Sequence, residues 1–263
     1  HEQEVRIGSV SARIPLYESG LMLDASTIHS SVDSGAVATA AGAYLLSSRG
    51  QSQSLRVTKL LPRIRAWDHR IAAGYDIRLV DSRVRTTAGA ESLVPEIILK
   101  PVSVQYAGAL HEEGRSVTAQ VSLSKNLPGG GRSAASVFQE PGLRRGANPH
   151  FSVLRLNAGL AAPWMRGHIS LQWNGQWTRD ALVAAEQFGI GGAGSVRGFN
   201  GRLASADIGQ RMSLEWLSPT HTLPSWSTMS LGWQGFTESA QALRNNPLPG
   251  EIERYTLAGA GLG

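Results

Sequence analysis

Polarity alternates residue by residue along most of this chain, and the alternation decides what the chain can build. Between residues 67 and 79 the odd positions hold Trp67, His69, Ile71, Ala73, Tyr75, Ile77 and Leu79. The even positions hold Asp68, Arg70, Ala72, Gly74, Asp76 and Arg78. A period of two sustained that long is a β-strand whose two faces meet different solvents. The pattern returns at residues 169–177, where Ile169, Leu171, Trp173, Gly175 and Trp177 oppose Ser170, Gln172, Asn174 and Gln176. An amide and hydroxyl face opposite an apolar one suits a wet lumen behind a lipid-facing wall.

Weaker copies of the pattern predict strands over residues 6–16, 21–32, 51–61, 100–110, 116–125 and around 154–160. Further strands are predicted at 211–216, at 227–238 and at the end near Tyr255 and Leu257, giving about eleven in all. In the 227–238 strand, Met229, Leu231 and Trp233 form the apolar side, and Gln234, Phe236 and Glu238 the polar one. The clearest strands reach the 9–11 residues that cross a bilayer, whereas strands of a soluble sandwich average about 5–6. Connections are short near Glu18, Arg63, Glu113, Met165 and His221. Long ones are predicted over residues 33–50, 84–95, 126–150, the central segment and 239–250. Short turns on one rim and long loops on the other is the layout of bacterial outer-membrane barrels. The expected fold class is therefore all-β, an antiparallel transmembrane β-barrel.

Composition narrows this further. The chain has 263 residues, with 30 glycines and seven tryptophans, and lacks any run of 18 apolar residues that would make a transmembrane helix. Cysteine is absent, which excludes a disulfide scaffold and thiolate chemistry. The net charge of +5 comes from scattered arginines, since Lys59, Lys100 and Lys125 are the only lysines. Without a basic helix or aromatic platform, nucleic acid is not an expected partner. The seven histidines show no H-x-x-x-H or H-E-x-x-H spacing, and no serine stands in a G-x-S-x-G elbow. Neither a metal, a small-molecule cofactor nor catalysis is expected. Because the first residue is His1 and no charged-then-apolar leader follows, the sequence reads as a processed product or a fragment.

The stretch with most information is FGIGGAGSVRGF, residues 188–199. Gly189, Gly191 and Gly194 satisfy G-x-G-x-x-G, yet no helical period follows to carry a pyrophosphate at its N-terminus. Parity of the connections puts the stretch on the long-loop rim. Its Ile190-Gly191-Gly192 and Ser195-Val196-Arg197-Gly198-Phe199 resemble the IGG and SVRGF signature of two-partner secretion transporters, the haemolysin-activator type of outer-membrane barrel. Asp207 and Gly209 in a D-x-G, and Glu215 followed by Pro219, also resemble the stretch after that loop.

The resemblance implies a sixteen-stranded barrel, an even number as closure requires, preceded by a plug helix and two POTRA domains. Residues 1–263 would then be barrel alone, with three strands, the plug and the POTRA domains missing before them and about two strands after. It implies a location in the bacterial outer membrane, contact with its lipid and lipopolysaccharide, and export of a large haemolysin- or adhesin-like exoprotein without nucleotide hydrolysis. It also implies that the motif loop folds back into the lumen, where Arg197 pairs with an acidic residue of an inward-facing F-x-D-x-G. This sequence has Phe236-Thr237-Glu238-Ser239-Ala240 there, with Glu for Asp and Ala for Gly. The site expected is thus Gly191, Gly192, Val196, Arg197, Gly198 and Phe199 on the loop, with Glu238 as partner and Asp207, Gly209, Glu215 and Phe236 in support. Barrel-assembly factors share the VRGF loop; the IGG prelude and the Leu61-Pro62-Arg63 turn favour secretion. A general diffusion porin and a soluble β-sandwich are the alternatives outside this superfamily.

Overall fold

A computed structural model describes residues 4–39, 42–86, 92, 94–222 and 230–263. The strands run β1 (Glu4–Leu16), β2 (Leu21–Thr39), β3 (Gly42–Leu60), β4 (Trp67–Thr86), β5 (Ile97–Leu99), β6 (Pro101–Glu112), β7 (Arg115–Asn126) and β8 (Ser152–Trp164). They continue as β9 (Gly167–Trp177), β10 (Phe188–Ile190), β11 (Ala204–Ala206), β12 (Ile208–Leu217), β13 (His221–Thr222), β14 (Ser230–Leu231), β15 (Gln234–Leu243) and β16 (Arg254–Leu262). Eleven of them hydrogen-bond in the order β1-β2-β3-β4-β6-β7-β8-β9-β12-β15-β16, and β5 pairs β4 off that path. Every pairing in this sheet is antiparallel. Such a meander satisfies each inner strand's backbone on both sides, which is the condition for crossing hydrocarbon.

The two faces separate as the alternation requires. Val10, Ile14, Leu55, Val57, Ile71, Tyr75, Val104, Tyr106, Val121 and Leu123 are exposed on the outer face. Asp76, Arg78, Arg155, Asn174 and Gln176 lie on the inner one, hydrogen-bonded to each other or to the loops inside. Toward the short-turn rim the outer face carries rings: Trp67 Nε1 donates to the Tyr106 hydroxyl at 3.0 Å, and Trp216 Nε1 to the Trp164 carbonyl at 3.3 Å. Amphipathic rings at one level suit the boundary between hydrocarbon and head groups.

Three expected boundaries move. Of the long loop expected over 33–50, residues 33–39 and 42–50 are strand: β2 and β3 are 19 residues each, and β4 is 20 residues long. At about 3.3 Å per residue each spans roughly 60 Å, far more than a bilayer needs. Serine, alanine and glycine look like loop because they have no bulk to alternate, while cross-strand hydrogen bonding does not need bulk. The strand expected over 227–238 begins only at Gln234 and continues to Leu243, so residues 239–243 are wall rather than loop. Consequently the connection near His221 is not short; it spans residues 218–233 and includes the β13–β14 pair. Part of that expected strand, residues 227–229, lies outside the described residues.

On the long-loop rim, segments between strands pack against each other. Ile97, Leu99, Phe138, Ala147, Phe151, Val153, Leu182 and Val183 form a buried apolar cluster. It draws on β5, the 127–151 loop with its 3-10 turns Gly131–Ser133 and Ala135–Gln139, and the first part of the 178–207 connection.

Candidate functional site

The 178–207 connection returns into the sheet's concave side, and small residues make room for it. β10 and β11 pair as a short hairpin, Phe188 with Ala206 and Ile190 with Ala204. Ile190 and Val196 are buried on the wall against Ala240 and Ala242, with Phe188, Tyr255 and Leu257 beside them. A side chain at Gly209 would lie 2.2 Å from the Phe188 ring, and one at Gly259 would lie 3.1 Å from the Arg197 carbonyl. Burying Val196 completely removes a whole aliphatic side chain from water, about 1.5–3 kcal/mol that fixes the loop's depth.

At the tip the backbone turns through glycines. Gly191, Gly192 and Gly198 have φ of 101°, 87° and 89°, a region closed to most side chains. The Ser195 N–H donates to the Gly192 carbonyl at 2.9 Å, closing the turn. The tight turn aims Arg197 across the lumen face. Its backbone N–H donates to Glu238 Oε2 at 2.7 Å and its Nε to Glu238 Oε1 at 2.8 Å. Nη2 also reaches Glu215 Oε1, and the guanidinium lies 3.5 Å over the centre of the Phe236 ring. Glu238 is 5% exposed, while Arg197 and Glu215 are half-buried. The fork geometry of guanidinium allows one group to serve two carboxylates and stack at once, which an ammonium cannot do. The Arg197 pKa is raised, chiefly by the hydrogen bond with Glu238, so it stays charged.

Phase explains the convergence. Glu215 and Phe236 are register partners on β12 and β15, and Ser213 is the partner of Glu238, so the four side chains share one face at neighbouring rungs. Ser213 Oγ lies 3.4 Å from Glu238 Oε1. Arg211, two residues further along that face, donates to Asn174 Oδ1 at 2.7 Å and to the Gly194 carbonyl. A polar crevice of about 180 Å³ remains between tip and wall, lined in part by Ser170, Gln172 and Asn174. Each water needs about 30 Å³, so there is room for several.

The expected residues therefore divide. Arg197, Glu238, Glu215 and Phe236 meet at one point, and Val196, Gly191, Gly192 and Gly198 shape the loop that brings them there. Phe199 is 37% exposed. Asp207 stands elsewhere. Fully buried, it accepts from Arg144 Nη1, from the Leu182 N–H at 2.8 Å and from the Asn245 N–H at 2.7 Å. One carboxylate thus ties three long-rim loops together. Arg144, Arg211 and Asn245 were not singled out by sequence reading: Arg144 lies in an irregular Gly-rich loop without periodicity, and Arg211 entered only as the first residue of the strand expected at 211–216. Among the described residues there is no cluster of three or more groups able to hold a metal ion.

Residues 7–231 match the family model described as haemolysin secretion/activation protein ShlB/FhaC/HecB. No curated protein sequence matches the chain. Among solved structures, CdiB from Acinetobacter baumannii superposes with a TM-score of 0.70 at 17% identity, over 100% of this chain and 44% of that one. CdiB from Escherichia coli gives 0.74 at 19% identity, over 98% of this chain and 46% of its own. BamA from Haemophilus ducreyi, in a form lacking POTRA domains 1-3, gives 0.59 at 15% identity, over 98% and 55%. The chain thus spans about half the length of these structures.

Proposed function

The chain belongs to the haemolysin secretion/activation family ShlB/FhaC/HecB, and from that premise we propose that it supplies the pore wall of an outer-membrane translocator exporting a large exoprotein by two-partner secretion. The observation that carries this reading is a loop folded back onto the lumen face and held by Arg197 on Glu238 and Glu215. A pore for passive diffusion needs no such clasp. In a translocator, a loop gripped by charge pairs is held in place yet released by water or by a competing polar chain, because ion pairs exchange partners where apolar packing does not.

In this reading residues 1–263 are barrel wall and loops, and the chemistry is electrostatic rather than catalytic. Val196 seats the loop, Gly191, Gly192 and Gly198 turn it, and Arg197 anchors it. Phe199 stands free to touch the passing chain. Asp207 and Gly209 support the outer half: one ties the rim loops, and the other leaves space for Phe188. The exoprotein crosses along an inner face of amides, hydroxyls and paired charges, while the apolar outer face meets lipid and the long strands meet lipopolysaccharide. No nucleotide enters the account.

The test is depletion of the full-length protein in its own cell. Loss of one large exoprotein from the medium, with other outer-membrane barrels at normal abundance, is expected. A fall in several unrelated barrels instead would assign the protein to barrel assembly and overturn the export reading.

A further inference from the structure

Eleven residues before Arg197 begins a second, separate ion cluster. Glu186 is buried, and its two carboxylate oxygens are divided between two strands: Oε1 accepts from Arg78 Nη1 at 2.7 Å and Oε2 from Arg155 Nη2 at 2.8 Å. Arg78 belongs to β4 and Arg155 to β8, with β6 and β7 between them in the sheet. Three strand spacings of about 4.8 Å separate the two arginines along the wall, so Glu186 bridges the curved wall from inside. Neighbours complete the joint. Arg78 Nη2 is held by Asp76 at 2.9 Å, Arg155 Nε by Gln176 Oε1 at 2.9 Å, and Gln176 Nε2 donates to the Glu186 carbonyl at 2.9 Å. Both the side chain and the backbone of Glu186 are therefore fixed.

The segment so fixed is the one that feeds the rim cluster. Leu182 and Val183, four and three residues earlier, are buried with Phe138, Phe151, Ile97 and Leu99. Two residues later β10 starts and leads to the Arg197 tip. Glu186 thus sits at the junction between the packed rim and the lumen loop.

We propose that Glu186 is a second anchor of the central connection, a positioning residue that closes the long-loop end of the lumen by bridging Arg78 and Arg155. It acts independently of Arg197: the first anchor sets how deep the tip lies, and the second sets whether the outer end is covered. Opening the outer end requires Glu186 to leave both arginines together, which gives the closed state two arms rather than one. Only the export arm of the following test rests on the transport reading above.

The experiment uses the full-length protein in planar lipid bilayers, with a folded-barrel check by resistance to unfolding in cold detergent. Glu186→Gln is expected to raise the fraction of time spent conducting by about tenfold or more, because a buried neutral amide cannot ion-pair with the two half-buried guanidinium groups that the carboxylate joins. Glu186→Asp keeps the charge and is expected to return the trace most of the way to wild type. Should Glu186→Gln fail to fold, Arg78→Gln and Arg155→Gln each remove one arm and are expected to give smaller increases that combine in the double variant. Residues 1–263 contain no cysteine, so, with any cysteine elsewhere in the full-length protein replaced by serine, Glu186→Cys with Arg155→Cys can be joined by a short bis-maleimide, and the joined channel is expected to stay shut. A folded Glu186→Gln barrel, or in its place a folded double-arginine variant, that conducts as wild type overturns the anchor. So does a joined channel that opens normally. Exoprotein release is measured alongside: if wild type exports nothing while conductance follows the variants, the transport reading fails and the anchor stands.

Discussion

Arg197 illustrates how far a single residue can be read before its surroundings are known. Its pairing with a carboxylate at position 238 was what the family resemblance implied, and alternation independently put Glu238 on the inner face. That Glu215 shares the same guanidinium was not: β12 and β15 pair in a register that sequence phase alone does not fix. The difference changes an experiment. Reversing Arg197 and Glu238 together leaves a glutamate at 197 facing Glu215, so the double variant is expected to recover only part of the export lost in each single variant, and adding Glu215→Gln to recover more. Secretion of the exoprotein at matched barrel abundance checks both. Arg197→Lys is expected to behave nearly as a loss, because a point charge cannot replace the fork. Phe236→Ala removes only the stacked ring, worth about 0.5–2 kcal/mol, and is expected to cost less export than Arg197→Ala.

Among the elements, the loop and its wall are matched in volume, and this was only half legible. Glycines at 191, 192 and 198 announced a turn, and their positive φ supplies the reason. Gly191→Ala would bring a Cβ to 2.7 Å from the Asn200 carbonyl in a left-handed backbone. The expected result is a loop cut faster by protease in outer-membrane vesicles, with the barrel itself intact. Gly209 looked like part of a motif; its measurable duty is space, and Gly209→Leu is expected to expel Phe188 and loosen β10 from the wall. Strands with bulky alternation, such as 67–79 and 169–177, were plain from the sequence. Residues 33–39 and 42–50 were not, because Ser, Ala and Gly give no periodic contrast, and strand status there comes from cross-strand hydrogen bonds. The opposite error occurred at 230–233, where Leu231 and Trp233 imitate a strand's apolar face ahead of the true start at Gln234. Asp207 was noted only as part of a motif, without partners, since its donors Arg144 and Asn245 lie 63 and 38 residues away in loops without pattern.

For the molecule as a whole, the alternating pattern, the antiparallel meander and the family match agree on an outer-membrane barrel, and the motif loop packs back onto its wall. The central claim is that this loop takes part in export and that Arg197 holds it. Removing Arg197 leaves Glu238 buried without its half-buried cation, a loss of about 1.5–3 kcal/mol for a charge-assisted hydrogen bond, and each 1.4 kcal/mol is a factor of ten. The direct measurement compares the full-length protein with its Arg197→Ala variant, at equal abundance in the outer membrane, by the amount of exoprotein released to the medium. Release lowered by about tenfold or more with the barrel still folded is the predicted result. Release unchanged would contradict the account, making Arg197 a bystander on a pore that works without it.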